Sequence, residues 1–345
     1  MKKYSAILLI AILFFSVSNS RLSAQANIRA LYDQGRSSMM MEDWYAAAES
    51  FIECLRINPA HAEATAALAE CYYELGEFDE ALVWVQRARS LARANTSLAN
   101  LEAFTLIALG RLGEASIIID DVLRREPNNR EALFAAAELD IAMGRAGSAV
   151  IRYREGVNRF PDDRRLLISL ALVLGSLGDA EGAQAYIDRA LVRHPGDPRV
   201  YYYAAYLASQ RGHLAEAIEH VENAIFFRPD FVPAHSLLAS LFYRSGRYQE
   251  ASDLADELIA LNRSDSLSWY LKGISLVRMG RFNEAQAVLS TAVGINPDNE
   301  FIRTALEELL ISHTRVEDPA RIQWASWHFN RARDFRNRNL MEQAL

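Results

Sequence analysis

Residues 198–231 read PRVYYYAAYLASQRGHLAEAIEHVENAIFFRPDF, and the pattern in this stretch decides the fold. Apolar residues recur at helical spacing over about residues 200–210 and again over about residues 215–227, which predicts two short helices. Gly212 lies between them, and glycine often ends a helix because it adopts left-handed backbone angles without a Cβ clash. Pro229 ends the second helix, since proline donates no backbone N–H and crowds the preceding turn.

The hairpin pattern repeats with a constant period of about 34 residues and gives eight full units between Ile28 and Asn299. The turn position holds glycine at Gly76, Gly110, Gly144, Gly178, Gly212, Gly246 and Gly280. A second position holds Ala47, Ala81, Ala115, Ala149, Ala183, Ala217, Ala251 and Ala285, and a third holds Gly35, Ala69, Ala103, Ala137, Ala171, Ala205, Ala239 and Gly273. Small residues are needed where two helix axes approach to about 8–10 Å, so these positions predict the helix crossings.

These residues resemble the tetratricopeptide repeat. The likeness is clearest in residues 62–95, through Leu68, Ala69, Tyr72, Gly76, Phe78 and Ala81, and in residues 266–299, through Trp269, Gly273, Gly280, Phe282, Ala285, Ala292 and Pro297. The resemblance implies an all-α fold, a right-handed superhelical solenoid of stacked helix-turn-helix hairpins whose first helices line a concave channel. Members of this family serve mostly as protein-binding scaffolds.

Residues 1–26 have the pattern of a secretory signal peptide. Lys2 and Lys3 precede an apolar run from about Ala6 to Val17, and Ala24-Gln25-Ala26 fits a cleavage site after Ala26. The run is too short for a helix that spans a bilayer, which needs about 20 residues. We therefore expect an exported chain of bacterial origin, periplasmic or secreted and surface-associated, without a transmembrane segment in its mature part.

The remaining chain is predicted to contain one array and a C-terminal segment. The array covers residues 27–312, with eight repeats at 28–299 and a capping helix at 300–312, and a linker follows at 313–318. Residues 319–345 begin a further repeat-like unit, with Asn339 at its turn, or form a C-terminal helix. Because an uncapped last repeat exposes apolar surface, we expect the natural chain to continue past Leu345, or this segment to fold back or to dock on another chain.

Charge and residue types disfavour several classes of function. The net charge of -7 becomes -10 once Lys2, Lys3 and Arg21 leave with the signal peptide, and an acidic chain repels nucleic acid.

Cys54 and Cys71 fall at core positions, so we expect two buried thiols, with a disulfide as the alternative in an oxidising compartment.

A short segment with His213, Glu216, Glu219 and His220 is the strongest candidate for chemistry outside the repeat pattern. It lacks the spacing of a zinc-protease motif, and the repeat places it at a turn and on the outer face of a second helix. We interpret it as solvated surface. The sequence thus predicts no metal site, no cofactor and no catalytic residues.

The family resemblance also implies which positions of the first helices face the channel. In this chain they hold an apolar, tyrosine-rich set with arginines: Tyr32, Tyr73, Phe104, Phe134, Arg165, Arg199, Tyr202, Tyr206, Tyr243, Arg244, Tyr270 and Arg278. Met39, Ile141, Ile168, Leu172 and Ile274 occupy further positions of this kind. A large exposed apolar patch usually marks a binding site, and tyrosine and arginine are enriched at binding hot spots. The alternative for any single side chain is packing between neighbouring first helices.

The sequence therefore predicts a non-enzymatic scaffold of the cell envelope that binds a protein or peptide segment in a concave groove. Two alternatives stay open. The array is a targeting or assembly domain of a longer envelope enzyme or machine, or the groove holds a lipid or another apolar ligand. Self-association through the C-terminal segment is a further expectation.

Overall fold

Short helices at a fixed spacing dominate the structure, a computed structural model that describes residues 25–92 and 94–337. Over these residues every regular element is a helix and none is a strand, which confirms the all-α class. None of the described helices is both long and apolar enough to cross a bilayer. Apart from residues 25 and 26, the predicted signal peptide lies outside the described residues, and so does the predicted turn at Asn339.

Each hairpin consists of a first helix and a second helix, numbered here in chain order from α1, which covers residues 25–40. The later first helices begin at the period predicted from the sequence: α3 (Ala62–Glu74), α5 (Thr96–Ala108), α7 (Arg130–Ala142), α9 (Arg164–Ser176), α11 (Pro198–Gln210), α13 (Val232–Arg244), α15 (Ser266–Arg278) and α17 (Glu300–His313). The second helices keep the same period: α2 (Trp44–Ile57), α4 (Phe78–Leu91), α6 (Leu112–Arg125), α8 (Ala146–Arg159), α10 (Ala180–Arg193), α12 (Leu214–Phe227), α14 (Tyr248–Leu261) and α16 (Phe282–Ile295). The chain then continues into α18 (Pro319–Asn337).

The turn inside the hairpins is a Schellman motif. After α11, the N–H of His213 donates to the carbonyl of Ala208 at 3.0 Å, and the N–H of Gly212 donates to the carbonyl of Ser209 at 3.1 Å. This pattern places Gly212 in the left-handed region, with a φ of 80°. Glu42 takes the same place in the first hairpin with a φ of 56°, the only positive φ outside glycine among the described residues. The geometry of the turn therefore persists where the sequence lacks glycine.

Asparagine or aspartate caps most of the first helices, a feature that the repeat pattern had not revealed. Asn129 Oδ1 accepts a hydrogen bond from the N–H of Ala132 at 2.9 Å, and Asp265 Oδ1 accepts one from the N–H of Leu267 at 3.1 Å. The first N–H groups of a helix have no partner within it, and a side-chain cap contributes about 1 kcal/mol. These caps thus give partners to N–H groups at the start of the first helices and fix where each helix begins.

The small residues permit a close approach of the two helices of a hairpin. A Cβ added at Gly273 would lie 2.5 Å from Cδ2 of Leu289, and one added at Gly35 would lie 2.6 Å from Cε1 of Phe51. Ala205 and Ala217, which represent the two alanine positions in one hairpin, are fully buried. The predicted role of these positions as helix crossings is confirmed.

The chain divides into two compact units within α9, the first ending at Val173 and the second starting at Leu174. Each unit has its own buried side chains. The largest of them include Phe51, Leu68, Leu106 and Ile119 in the first unit. In the second unit they include Ile187, Leu241, Leu276 and Leu289.

Buried charged groups interrupt the apolar core of the first unit. Asp140 is only 2% exposed, and it accepts hydrogen bonds from Arg145 Nη2 at 2.5 Å and from Arg152 Nε at 2.7 Å. Glu102 is also buried and pairs with Arg89. Asp140 stands where both neighbouring repeats have leucine. Removing one partner of such a pair leaves an uncompensated buried charge, so each pair restrains the local packing.

The two cysteines are free and buried, which confirms the interpretation as thiols over the disulfide. The Cys54 thiol points to the carbonyl of Ile28, with 3.7 Å between Sγ and the oxygen. Burial raises the pKa of the Cys71 thiol to about 12, so its thiolate is disfavoured at neutral pH.

The C-terminal segment packs against the end of the second unit. Ala320 and Trp324 of α18 contact the core formed mainly by α16 and α17, whereas Phe329 is largely exposed. The predicted capping helix corresponds to α17, which ends at His313, just past the expected boundary. Continuation past residue 345 and docking on another chain stay predictions.

Replacing Gly212 by alanine should lower the free energy of unfolding by about 1–2 kcal/mol, because a Cβ strains the left-handed backbone. Gly294→Ala is the matched control, since Gly294 lies within α16 and nothing lies within 4 Å of the added Cβ. The control should raise stability by up to about 1 kcal/mol. Urea unfolding of both variants gives the comparison. Equal effects of the two substitutions would contradict the assigned turn.

Replacing Ala183 by leucine should overpack a helix crossing and lower the free energy of unfolding by about 1–3 kcal/mol. Because each repeat contacts mainly its neighbours, the damage should stay local and split the unfolding transition. Ala185→Leu, at an exposed position of the same helix, is the control and should leave the transition unchanged. Circular dichroism during chemical unfolding measures both. An Ala183→Leu protein as stable and cooperative as the parent would exclude the crossing.

Candidate functional site

Aromatic side chains of the first unit meet on successive first helices. The ring centroids of Phe104 in α5 and Phe134 in α7 lie 5.9 Å apart. The guanidinium carbon of Arg165 in α9 lies 4.9 Å from the centroid of the Phe134 ring, which is within cation–π range. Tyr73 in α3 packs edge-on against Phe78 in α4 at 5.6 Å. The structure thus brings Phe104, Phe134 and Arg165 together, and their place in a binding groove stays a prediction.

Two carboxylates belong to this surface, although the sequence reasoning did not select them. Glu138 accepts a hydrogen bond from the Tyr153 hydroxyl, and Glu131 Oε1 lies 3.5 Å from Arg165 Nη2. Both acids share α7 with Phe134, at positions three before and four after it. That spacing places side chains on one face of a helix and was the signal that could have identified them.

Three predicted lining positions of the first unit are covered to different degrees. Tyr32 is half-buried and stacks on the His61 ring, with centroids 5.2 Å apart. Met39 is 8% exposed and Ile168 is 6% exposed, so both belong to the core and their predicted place in the lining was wrong. Met39 packs into the apolar core with residues of α2 and α3, so its position on a first helix does not place it in an open channel.

Tyrosines dominate the first helices of the second unit. Tyr202 in α11 packs edge-on against Phe231 at 5.6 Å. Tyr206, one helical turn later, has 40% of its surface exposed, whereas the other predicted tyrosines are half-buried. Arg199 is exposed in the first turn of α11, and Arg244 at the end of α13 donates to a backbone carbonyl of α11 at 2.9 Å. Tyr206 therefore offers the most accessible aromatic ring of the predicted set.

The remaining predicted residues, Tyr243, Tyr270 and Arg278, line one cavity of about 520 Å³. Its walls are α15 and α17, and Tyr243 closes it from the end of α13. Ile274, a further predicted lining residue, lies in the same wall as Tyr270. The sequence reasoning missed the wall from α17, because it treated that helix only as a cap.

Two tyrosines of this unit, Tyr202 and Tyr270, are stabilised in their neutral form. Burial, followed by the nearby Tyr203 and Tyr206, raises the pKa of Tyr202. Burial, followed by Tyr243 and Glu308, raises the pKa of Tyr270. Neutral phenols present both an apolar ring and a hydroxyl that can donate a hydrogen bond.

The histidine and glutamate segment forms local surface contacts. Glu216 lies 3.1 Å from Nδ1 of the exposed His213 and 3.2 Å from Nη2 of Arg211. Over residues 25–92 and 94–337, no group of three or more histidine, cysteine, aspartate or glutamate side chains is arranged to hold a metal ion.

Models of the tetratricopeptide repeat match most of the array. One matches residues 38–104, 174–241 and 208–274, a second matches residues 134–198, and a third matches residues 267–299. Together they cover more than half of the chain. The chain belongs to the tetratricopeptide repeat family.

Comparisons with individual proteins agree on the fold. Tetratricopeptide repeat protein 16 of Mus musculus is 30% identical over 86 residues, which are 25% of this chain and 11% of that protein. A chain of the APC/C hetero-tetramer Cut9-Hcn1 has a TM-score of 0.59 and 14% identity, covering 83% of this chain and 55% of that one. A thermophilic tetratricopeptide repeat protein of Thermus thermophilus has a TM-score of 0.50 and 21% identity over 53% of this chain and 99% of its own. This chain thus spans only part of the curated relative and about half of the first structure, and the likenesses establish the solenoid fold.

The free energy of unfolding at alkaline pH should depend on Tyr270, which is half-buried. Its pKa is raised in the folded state, so its contribution to stability is complete below about pH 10 and is lost as the pH rises through the folded-state pKa. Tyr270→Phe should therefore lose less unfolding free energy than the parent as the pH rises above about 10. Tyr45→Phe, at an exposed position of α2, controls for the loss of a tyrosine hydroxyl. Urea unfolding at alkaline pH measures the free energy of unfolding of each protein. Parallel losses of this free energy in the parent and in Tyr270→Phe would contradict the assigned environment of Tyr270.

Proposed function

We propose that this protein is a non-catalytic scaffold that binds a protein segment on the first helices of its second unit. The observation that carries the proposal is the cavity in which Tyr243, Tyr270 and Arg278 converge. Specific binding surfaces concentrate aromatic and arginine side chains in partly covered pockets, and this cavity combines both. The exposed ring of Tyr206 adds an aromatic contact on α11.

A peptide fits this surface better than an apolar small molecule does. The volume of about 520 Å³ is within the range of ligand pockets, but the lining includes charged Arg278, Glu300 and Glu308 besides the apolar groups. A lipid chain would leave the two carboxylates, Glu300 and Glu308, without partners, at a free-energy cost. A peptide can satisfy them with its backbone and polar side chains while its apolar side chains meet the rings.

We also propose that the chain acts outside the cytoplasm. The support is the pattern of residues 1–26, with two lysines, a short apolar run and a small-residue cleavage site. Loss of that segment makes the remaining chain more acidic, which is consistent with a protein partner and not with nucleic acid. Mass spectrometry of the protein from its native cells tests this, since the mature N-terminus should start at Asn27.

A role as the assembly domain of a larger machine is a second candidate. It is favoured by the likeness in fold to a chain of a hetero-tetramer and by the greater length of that chain. Co-purification distinguishes an assembly domain from a scaffold that binds segments. An assembly domain should elute in one stable complex of fixed stoichiometry, whereas a scaffold for segments should release its partner on dilution.

Replacing Tyr206 and Tyr243 by alanine should weaken partner capture at least tenfold, because hot-spot truncations cost about 2 kcal/mol or more. The matched control replaces Tyr45 and Phe226, two highly exposed aromatic residues of second helices, by alanine. Immobilised full-length variants are incubated with a cell-envelope extract, and captured proteins are quantified by mass spectrometry.

Circular dichroism must show that the tested variants are folded. Tyr243 contacts Tyr248 at 5.6 Å, so its loss can destabilise the chain, and Tyr206→Ala alone then serves as the second variant. Equal capture by the parent and a folded groove variant would refute the proposed binding surface, and so would equal losses in the groove and control variants.

A further inference from the structure

The cavity of the second unit has an uneven distribution of charge. Its lining contains two carboxylates, Glu300 and Glu308 of α17, and one cation, Arg278 of α15. Neither carboxylate has an ion-pair partner among the described residues. Glu300 begins α17, where a negative charge is favoured by the helix dipole. Glu308 lies in the second half of that helix and has no such compensation.

The single cation of the lining is already engaged. Arg278 donates to the Tyr248 hydroxyl from Nε at 3.1 Å and from Nη2 at 3.0 Å. Its guanidinium carbon lies 5.3 Å from the centroid of the same ring. These contacts hold Arg278 against Tyr248 of α14, and within residues 25–92 and 94–337 it forms no ion pair with Glu308.

The rings of Tyr243 and Tyr270 line the same cavity as that carboxylate. Glu308 and Tyr243 are both close enough to Tyr270 to contribute to its raised pKa, after the effect of burial. The face of a tyrosine ring is negative and attracts a cation. Ile274 and Leu309 add apolar surface that can cover an aliphatic stem.

We propose that this cavity binds a lysine or arginine side chain of the partner segment, with its stem against Ile274 and Leu309 and its charge between Glu308 and the Tyr270 ring. The inference rests on the proposed function and gives the chemistry of one anchor of the partner. It assigns a basic residue to this place, whereas the arginine content of the first helices alone favours acidic groups on the partner. An acidic side chain here would face an uncompensated carboxylate at short range, which is repulsive.

Peptide selection with a charge reversal tests the proposal. A random peptide library displayed on phage is selected on the full-length parent and on Glu308→Lys. Peptides selected on the parent should carry a basic residue, and replacing that residue by norleucine should weaken binding about tenfold or more. The Glu308→Lys protein should select peptides with an acidic residue at the same place. Glu307→Lys is the matched control, because Glu307 precedes Glu308 in α17 but does not line the cavity.

The outcomes separate this inference from the function on which it rests. The cation site is overturned if the selected peptides lose affinity for the Tyr206→Ala protein but carry no basic residue. It is also overturned if Glu308→Lys selects the same peptides as the parent. Both results leave the proposed binding surface supported. An equal shift of preference by Glu307→Lys also overturns it, since the effect is then one of net charge. Failure to select any peptide that depends on the tyrosines removes the proposed function itself. If Glu308→Lys unfolds, Glu308→Gln replaces it, and an unchanged affinity for basic peptides then contradicts the proposal.

Discussion

The close approach of two helices at small residues is the constraint on which the rest of the structure depends. At Gly273 and Gly35 even a methyl group would collide with a core side chain of the partner helix. Because this approach recurs at a fixed register, each hairpin repeats the geometry of the one before it. Turn, cap and crossing all recur with the same period along the chain.

The same constraint creates the candidate site. Crossings occupy the inner faces of both helices, so the core of a hairpin uses its small and apolar residues there. Other positions of the first helices take no part in the crossings, and in the second unit several of them hold tyrosine, arginine and glutamate. In such a family, function resides in the side chains that the repeat does not need.

The sequence predicted the helical repeat and, in the hairpin of α11 and α12, the helix ends to within about two residues, because glycine and proline constrain the backbone directly. It predicted side-chain environments less well. Met39 and Ile168 were assigned to the lining but are buried, since periodicity cannot tell an open face from one covered by the neighbouring helix. The buried Asp140 was missed although a charge at a leucine position was visible, and the cavity wall from α17 was missed because one helix was considered alone. The cavity wall depends on contacts between repeats, which a pattern within one repeat does not contain, whereas Asp140 depends on its pairing with Arg145 and Arg152 across one hairpin.

Site-specific photo-cross-linking tests the central claim, that the first helices of the second unit are the binding surface. A photoreactive amino acid is placed at Ile274 in the cavity wall or at Ala287, an exposed position of α16, and the full-length protein is irradiated with its cell-envelope extract. We predict a discrete cross-linked protein from position 274 and none from position 287. Cross-links from position 287 alone, or the same products from both positions, would contradict it.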